Sequence, residues 1–193
     1  MRKSVLGIIL ACVLCALPAF SQDILGDRSS IPQGTVSILD NFEKGNYWIW
    51  AAFDWEFWGP PKLSTSARLS SHWASEGRQS LECKVAKSTP DSDSSGMFYM
   101  DFQWNFSGTK YVVLDIYNPE NTSFEFSMAF QTSEAWKWNE TRTVLVEPGA
   151  HTVVLSVQDF MSELSLVYRV NLCYKETTPM NGRFFVDNIR FIK

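Results

Sequence analysis

Residues 111–118 read Tyr111-Val112-Val113-Leu114-Asp115-Ile116-Tyr117-Asn118, and residues 124–131 read Phe124-Glu125-Phe126-Ser127-Met128-Ala129-Phe130-Gln131. In the first stretch Val112, Leu114 and Ile116 fall on one parity, with Asp115 and Tyr117 on the other. In the second, Phe124, Phe126, Met128 and Phe130 form one stripe, and Glu125, Ser127 and Gln131 form the opposite one. Successive side chains of a strand point to opposite faces, so both stretches read as half-buried strands with an apolar inner face and a hydrogen-bonding outer face. Asn118-Pro119-Glu120-Asn121 has turn composition and predicts that the two strands pair as an antiparallel hairpin. In that pairing Asp115, Tyr117, Glu125 and Gln131 share the solvent side of one sheet.

Similar short segments recur along the chain, near Val36–Phe42, Leu81–Lys87, Met97–Phe106, Thr141–Val146, His151–Val157, Leu166–Tyr174 and Phe184–Phe191. Turn signals such as Gly45-Asn46, Glu76-Gly77, Ser107-Gly108, Pro148-Gly149 and Asn181-Gly182 separate them. About nine short strands between turns predict an all-β protein, an antiparallel β-sandwich of two sheets. No amphipathic helix of useful length is present. Ser70–Ser75 and Gln158–Glu163 have room for a helical turn or two.

The chain has 193 residues and a formal net charge of −4. Met1-Arg2-Lys3-Ser4 precedes an apolar run from Val5 to Phe20, shorter than the roughly 20 residues that span a bilayer. With Ala19-Phe20-Ser21 following, residues 1–21 read as a secretory signal cleaved before Gln22. Cys12 follows Leu10-Ala11 in the manner of a lipoprotein box, but the run stays apolar to Phe20. Residues 22–34 are polar and turn-rich and read as a flexible leader. Residues 35–193 form one domain, large enough for a real core. The expected protein is exported, periplasmic or extracellular, with no membrane span after signal removal. Its acidic balance, without basic runs, argues against nucleic acid as a partner.

Cys83 and Cys173 remain after the signal. Cys83 shares the apolar parity of Leu81 and Val85, whereas Cys173 shares the polar parity of Arg169 and Asn171. Opposite environments favour two unpaired thiols, although an oxidising compartment permits a disulfide.

Eight tryptophans are a heavy load, and four lie in Tyr47–Trp58, where seven of twelve residues are aromatic. They occupy both parities, so a strand with one exposed face cannot bury them all. Trp50, Trp55 and Trp58, together with Trp136 and Trp138 of Trp136-Lys137-Trp138, are the candidates for rings at the edge of a binding face.

The ordered set of segments resembles carbohydrate-binding modules with a galactose-binding-like jelly-roll fold. Leu39-Asp40-Asn41-Phe42-Glu43-Lys44-Gly45 resembles their opening element, and Ala74-Ser75-Glu76-Gly77-Arg78-Gln79-Ser80-Leu81 an entry to the following strand. Leu114-Asp115-Ile116-Tyr117-Asn118-Pro119 and Phe185-Val186-Asp187-Asn188-Ile189-Arg190 resemble a middle and the closing strand. The resemblance covers roughly residues 38–192. It implies a glycan or polysaccharide as ligand. It also implies a structural calcium ion held by Asp40, Glu43 and Asp187, with a carbonyl from Glu76-Gly77.

For sugar binding the polar parity offers Tyr99, Asp101, Gln103, Asp115, Tyr117, Glu125, Ser127, Gln131, Arg169 and Asn171. Rings meet the apolar face of a pyranose, while amides and carboxylates meet its hydroxyls. Catalysis is disfavoured. His72 and His151 have no ligand spacing, and no nucleophile elbow or phosphate loop occurs. Asp115 and Glu125, facing each other across neighbouring strands, are the one carboxylate pair of the kind a glycosidase needs. The reading is therefore a non-catalytic carbohydrate-binding protein. A structural cell-envelope or filament-coat protein contacting other envelope proteins is the alternative, and a small glycan hydrolase or lyase is a weaker one.

Overall fold

A computed structural model describes residues 24–26, 31–52, 66–85, 95–176 and 182–193. Its strands are β1 (Ile24–Gly26), β2 (Val36–Asp40), β3 (Ile49–Ala52), β4 (Ser66–Ser70), β5 (Ser80–Lys84), β6 (Ser95–Trp104) and β7 (Tyr111–Asn118). There follow β8 (Phe124–Thr132), β9 (Lys137–Glu140), β10 (Val144–Val146), β11 (Gly149–Ser156), β12 (Val167–Glu176) and β13 (Arg183–Ile192). They form two antiparallel sheets. Sheet A has seven strands in the order β1-β11-β7-β13-β5-β4, with β2 also on β13. Sheet B has six, β10-β8-β12-β6-β3, with β9 also on β8.

The alternating pattern sets the core. Phe124, Phe126, Met128 and Phe130 of β8 are all fully buried, as are Val112, Leu114 and Ile116 of β7. They meet Leu81 and Cys83 of β5, Phe98 of β6, Leu155 of β11, Leu172 of β12 and Phe184 of β13 between the sheets. The four β8 side chains alone bury enough apolar surface for roughly 1.5–3 kcal/mol each.

The expected β7–β8 hairpin does not form. Strand β7 is central in sheet A, with β11 and β13 on its two edges, whereas β8 lies in sheet B against β12, β9 and β10. The chain crosses between the sheets at the predicted turn. Buried Asn118 organises the crossing: its Nδ2 donates to the carbonyls of Thr122 (2.9 Å) and Val146 (3.3 Å), and its Oδ1 accepts from Glu120 N (3.1 Å). Both edges of β7 are filled, so no ladder is left for β8.

Other elements differ from the sequence reading. Within the leader segment, Ile24–Gly26 pairs with β11. Strands β3, β4 and β9 were not expected. Ser70–Ser75 is not helical, while Gln158–Ser165 is a 3-10 segment. The signal segment, Trp55 and Trp58 lie outside the described residues. Cys83 and Cys173 are unpaired, the first in the core and the second on the outer side of sheet B.

Candidate functional site

The crossing at Asn118 separates the four residues expected on one face. Asp115 and Tyr117 lie on the outer side of sheet A, and Glu125 and Gln131 on the outer side of sheet B. Neither of the first two is a free platform residue, because segment 71–79 lies across them. Asp115 is only 3% exposed. Its Oδ1 accepts from Thr152 Oγ1 (2.8 Å) and its Oδ2 from Ser75 Oγ (2.7 Å). Arg190 adds a longer ion pair at 3.4 Å. Tyr117 stacks on Trp73 (5.5 Å) and on Phe185 (6.0 Å), which also pack against each other (6.4 Å). Burial of a carboxylate demands such partners, and here they anchor a loop to the sheet. The polar parity identified the outer face correctly; it carried no information about what covers that face.

The three carboxylates expected to hold calcium do not gather. Among the described residues no group of three His, Cys, Asp or Glu side chains is arranged to hold a metal. Asp40 accepts from Phe42 N (2.8 Å) and from Trp48 Nε1 (2.9 Å). Glu43 Oε1 accepts from Arg78 N (2.7 Å) and Gln79 N (2.9 Å). Asp187 Oδ2 accepts from Ser75 N (2.8 Å) and Glu76 N (3.1 Å). Burial pushes the Asp40 and Asp187 carboxyls up, partly offset by those N–H donors. The Arg78 and Gln79 amides hold Glu43 low. Spread over these separate partners, the three carboxylates do not supply the six to eight oxygens that a calcium ion gathers at one point. Glu43 and Asp187 instead clasp the same loop from two sides. Gly77 permits this: its φ is +72°, and an added Cβ would stand 2.5 Å from Glu43 Oε1.

The outer side of sheet B is different. Three neighbouring strands, β6, β12 and β8, bring the remaining polar-parity residues into rows. Asp101, Arg169 and Gln131 are in register, with Trp138 of β9 continuing the row. Tyr99, Asn171 and Ala129 form the next row, continued by Glu140. Cys173 and Ser127 follow, and then Lys175 and Glu125. Glu125 thus sits at the far end of the face from Gln131. Trp50 is in register with Phe98 on β3.

Arg169 organises the middle. Its Nε and one terminal nitrogen take both oxygens of Asp101, at 2.5 and 2.8 Å. Its guanidinium lies 4.0 Å from the centre of the Tyr99 ring and 5.3 Å from that of Trp136. Trp136 also stacks on Tyr168 at 5.6 Å. The register slips between Val167 and Arg169, a bulge that lets Tyr168 and Arg169 both serve this end of the sheet. Trp136 is 46% exposed and has φ +54°, a left-handed backbone that is costly for a bulky residue. Trp138 Nε1 donates to Glu140 Oε2 (2.8 Å), and Ser127 Oγ donates to Glu140 Oε1 (2.5 Å).

Two acceptors on this face have no protein partner. Asn171 donates its Nδ2 to the Ala129 carbonyl (3.1 Å), which leaves Oδ1 buried and unpaired; Gln131 Oε1 is likewise unpaired. Buried polar atoms are normally satisfied, so both are notable within a row of rings. The Cys173 thiol beside them is pushed up by burial and by Glu140, which keeps it neutral and unreactive. Sequence reading missed Tyr168 and Glu140. The interruption of alternation in Val167-Tyr168-Arg169-Val170, two non-core residues between two core ones, was the available signal for the bulge.

No family model matches the chain, and no curated protein matches it. Its fold does match solved structures. One is the family 11 carbohydrate-binding module of Clostridium thermocellum in complex with a β-1,3-1,4-mixed-linked tetrasaccharide (TM-score 0.59, 13% identity, 83% of this chain and 97% of that one). A second is a family 28 module specific for non-crystalline cellulose (TM-score 0.59, 18% identity, 84% and 97%). A third is a family 27 module of Caldicellulosiruptor saccharolyticus in complex with mannohexaose (TM-score 0.57, 14% identity, 83% and 98%). At these identities the likeness is one of fold, and the fold is the β-sandwich jelly roll of carbohydrate-binding modules.

Proposed function

We propose that this chain is an exported, non-catalytic module that binds a glycan or polysaccharide on the outer side of sheet B. The observation that carries the reading is the cluster of rings on this face: Tyr99 and Trp136 lie against the Arg169 guanidinium, and Trp136, 46% exposed, stacks on Tyr168. A pyranose presents a C–H face to such a ring, and its hydroxyls meet the polar groups beside it. The similar modules carry neutral glucan or mannan ligands, which supports a saccharide of that kind here. Asp115 and Tyr117 have no part in this site. Two carboxylates of the face, Asp101 and Glu140, are taken up by Arg169, Ser127 and Trp138, and the third, Glu125, lies at its far end, which favours binding over hydrolysis.

Affinity electrophoresis in gels containing soluble mixed-linkage glucan, mannan or xylan tests the reading. The native protein is retarded by at least one polymer and Trp136→Ala is not, while the variant keeps its melting temperature. Free migration of the native protein in every gel sinks the proposal.

A second reading, a coat or envelope protein that packs against other proteins, draws on exposed Val36 (54%) and Ile38 (61%) of β2. Concentration-dependent self-association that Ile38→Lys abolishes would favour it.

A further inference from the structure

A cleft opens at the side of the sandwich, on the other side of strand β6. It has a volume of about 600 Å³ and lies between the end of β2 with its following turn and residues 100–104 of β6. Phe102 shares the parity of Met100 and Trp104, the side that faces the core, yet it is 68% exposed. Tyr47, across the opening, is 66% exposed. Trp104 lies 5.3 Å from Phe102, packs against the core and stacks on Phe106. Two wet rings with a third beside them therefore frame a space of ordinary ligand size. The polar groups that line it include Asn41, Lys44 and Asp101. Lys44 makes no ion pair among the described residues, so its ammonium is available to a hydroxyl.

The cleft is continuous with the glycan-binding face through Asp101. Its carboxylate belongs to the Arg169 row, while the residue also lines the cleft. Strand β6 is thus a ridge with rings on both flanks, Tyr99 on one and Phe102 on the other.

We propose that a glycan lying across sheet B turns over β6 at Asp101 and places its next sugars in this cleft, against Phe102 and Tyr47. The inference rests on the glycan-binding reading above and extends it to a second subsite. The ligand is then an extended saccharide able to bend over a strand edge, and short saccharides fill the sheet face only.

Isothermal titration with mixed-linked β-1,3-1,4-gluco-oligosaccharides, whose β-1,3 linkages let the chain bend, from disaccharide to hexasaccharide, tests this. Phe102→Ala and Tyr47→Ala remove rings that are mostly in water, so both variants keep the native melting temperature. The native protein gains affinity with saccharide length. Each cleft variant loses about tenfold on the hexasaccharide and nothing on the disaccharide, whereas Trp136→Ala loses both. Unchanged hexasaccharide affinity in both cleft variants, with loss in Trp136→Ala, overturns the cleft and leaves the sheet-face reading intact. Loss in the cleft variants with full binding by Trp136→Ala overturns the continuity proposed here and the sheet-face reading with it. Failure of the native protein to bind any of these saccharides overturns both.

Discussion

Arg169 holds its guanidinium 4.0 Å from the centre of the Tyr99 ring while both oxygens of Asp101 fix its plane. A planar cation pinned in this way supports both Tyr99 and Trp136. Replacing Arg169 by Met therefore separates binding from stability. The pair is partly exposed, so the cost in unfolding free energy is about 0.5–1 kcal/mol. Glycan retention falls much further, because two rings lose their common support. A urea midpoint and an affinity gel on the same variant check both halves.

Trp136 has a left-handed backbone. Glycine adopts that conformation freely, while alanine retains the Cβ conflict. Trp136→Gly should unfold at higher urea than Trp136→Ala, by about 1 kcal/mol, although both lose binding. The reverse order would show that the turn relaxes to another conformation.

Phe126 is fully buried at the centre of the core. Phe126→Ala leaves a cavity and should destabilise by about 3–5 kcal/mol in chemical denaturation.

Glu82 is buried on β5 between Arg68 (3.1 Å) and Arg183 (3.4 Å). Burial alone would push its carboxyl up; the two guanidiniums more than offset this and hold it below the usual range. A lowered carboxyl stabilises the fold above its unfolded-state pKa, and that contribution is lost as pH falls through the folded value. Acid should therefore destabilise the native protein more than Glu82→Gln. At neutral pH the variant should lose about 1–2 kcal/mol, since both arginines are largely in solvent. Melting curves across the acid range measure the difference.

Glu43 and Asp187 hold segment 75–79 through N–H donors rather than through a cation. The melting temperature should be the same with EDTA and with added calcium, because only a ligand that binds the folded state shifts it. A rise on adding calcium would show that the loop rearranges to coordinate it.

Much of the architecture was legible because the core writes itself at period two. The stripe Phe124, Phe126, Met128, Phe130 and the parity split of Cys83 and Cys173 survive intact in the structure. Pairing was not legible. A turn at Asn118 looks the same whether the chain reverses within a sheet or crosses to the other, and only the filled edges of β7 decide between them. For the same reason Glu125 and Gln131 were separated from Asp115 and Tyr117. Trp138 lies beside Gln131 because the two are close in sequence and pair directly. The cover over Asp115 depends on segment 71–79, distant in sequence, and no local pattern announces it.

The separate locations of the two thiols bear on where this chain is able to mature. Cys83 is sealed in the core and Cys173 lies on the opposite side of sheet B, so no disulfide links the described residues. The described residues are held by burial, hydrogen bonds and ion pairs rather than by a disulfide. The described fold needs no disulfide, and therefore no disulfide catalyst, in a reducing or an oxidising compartment.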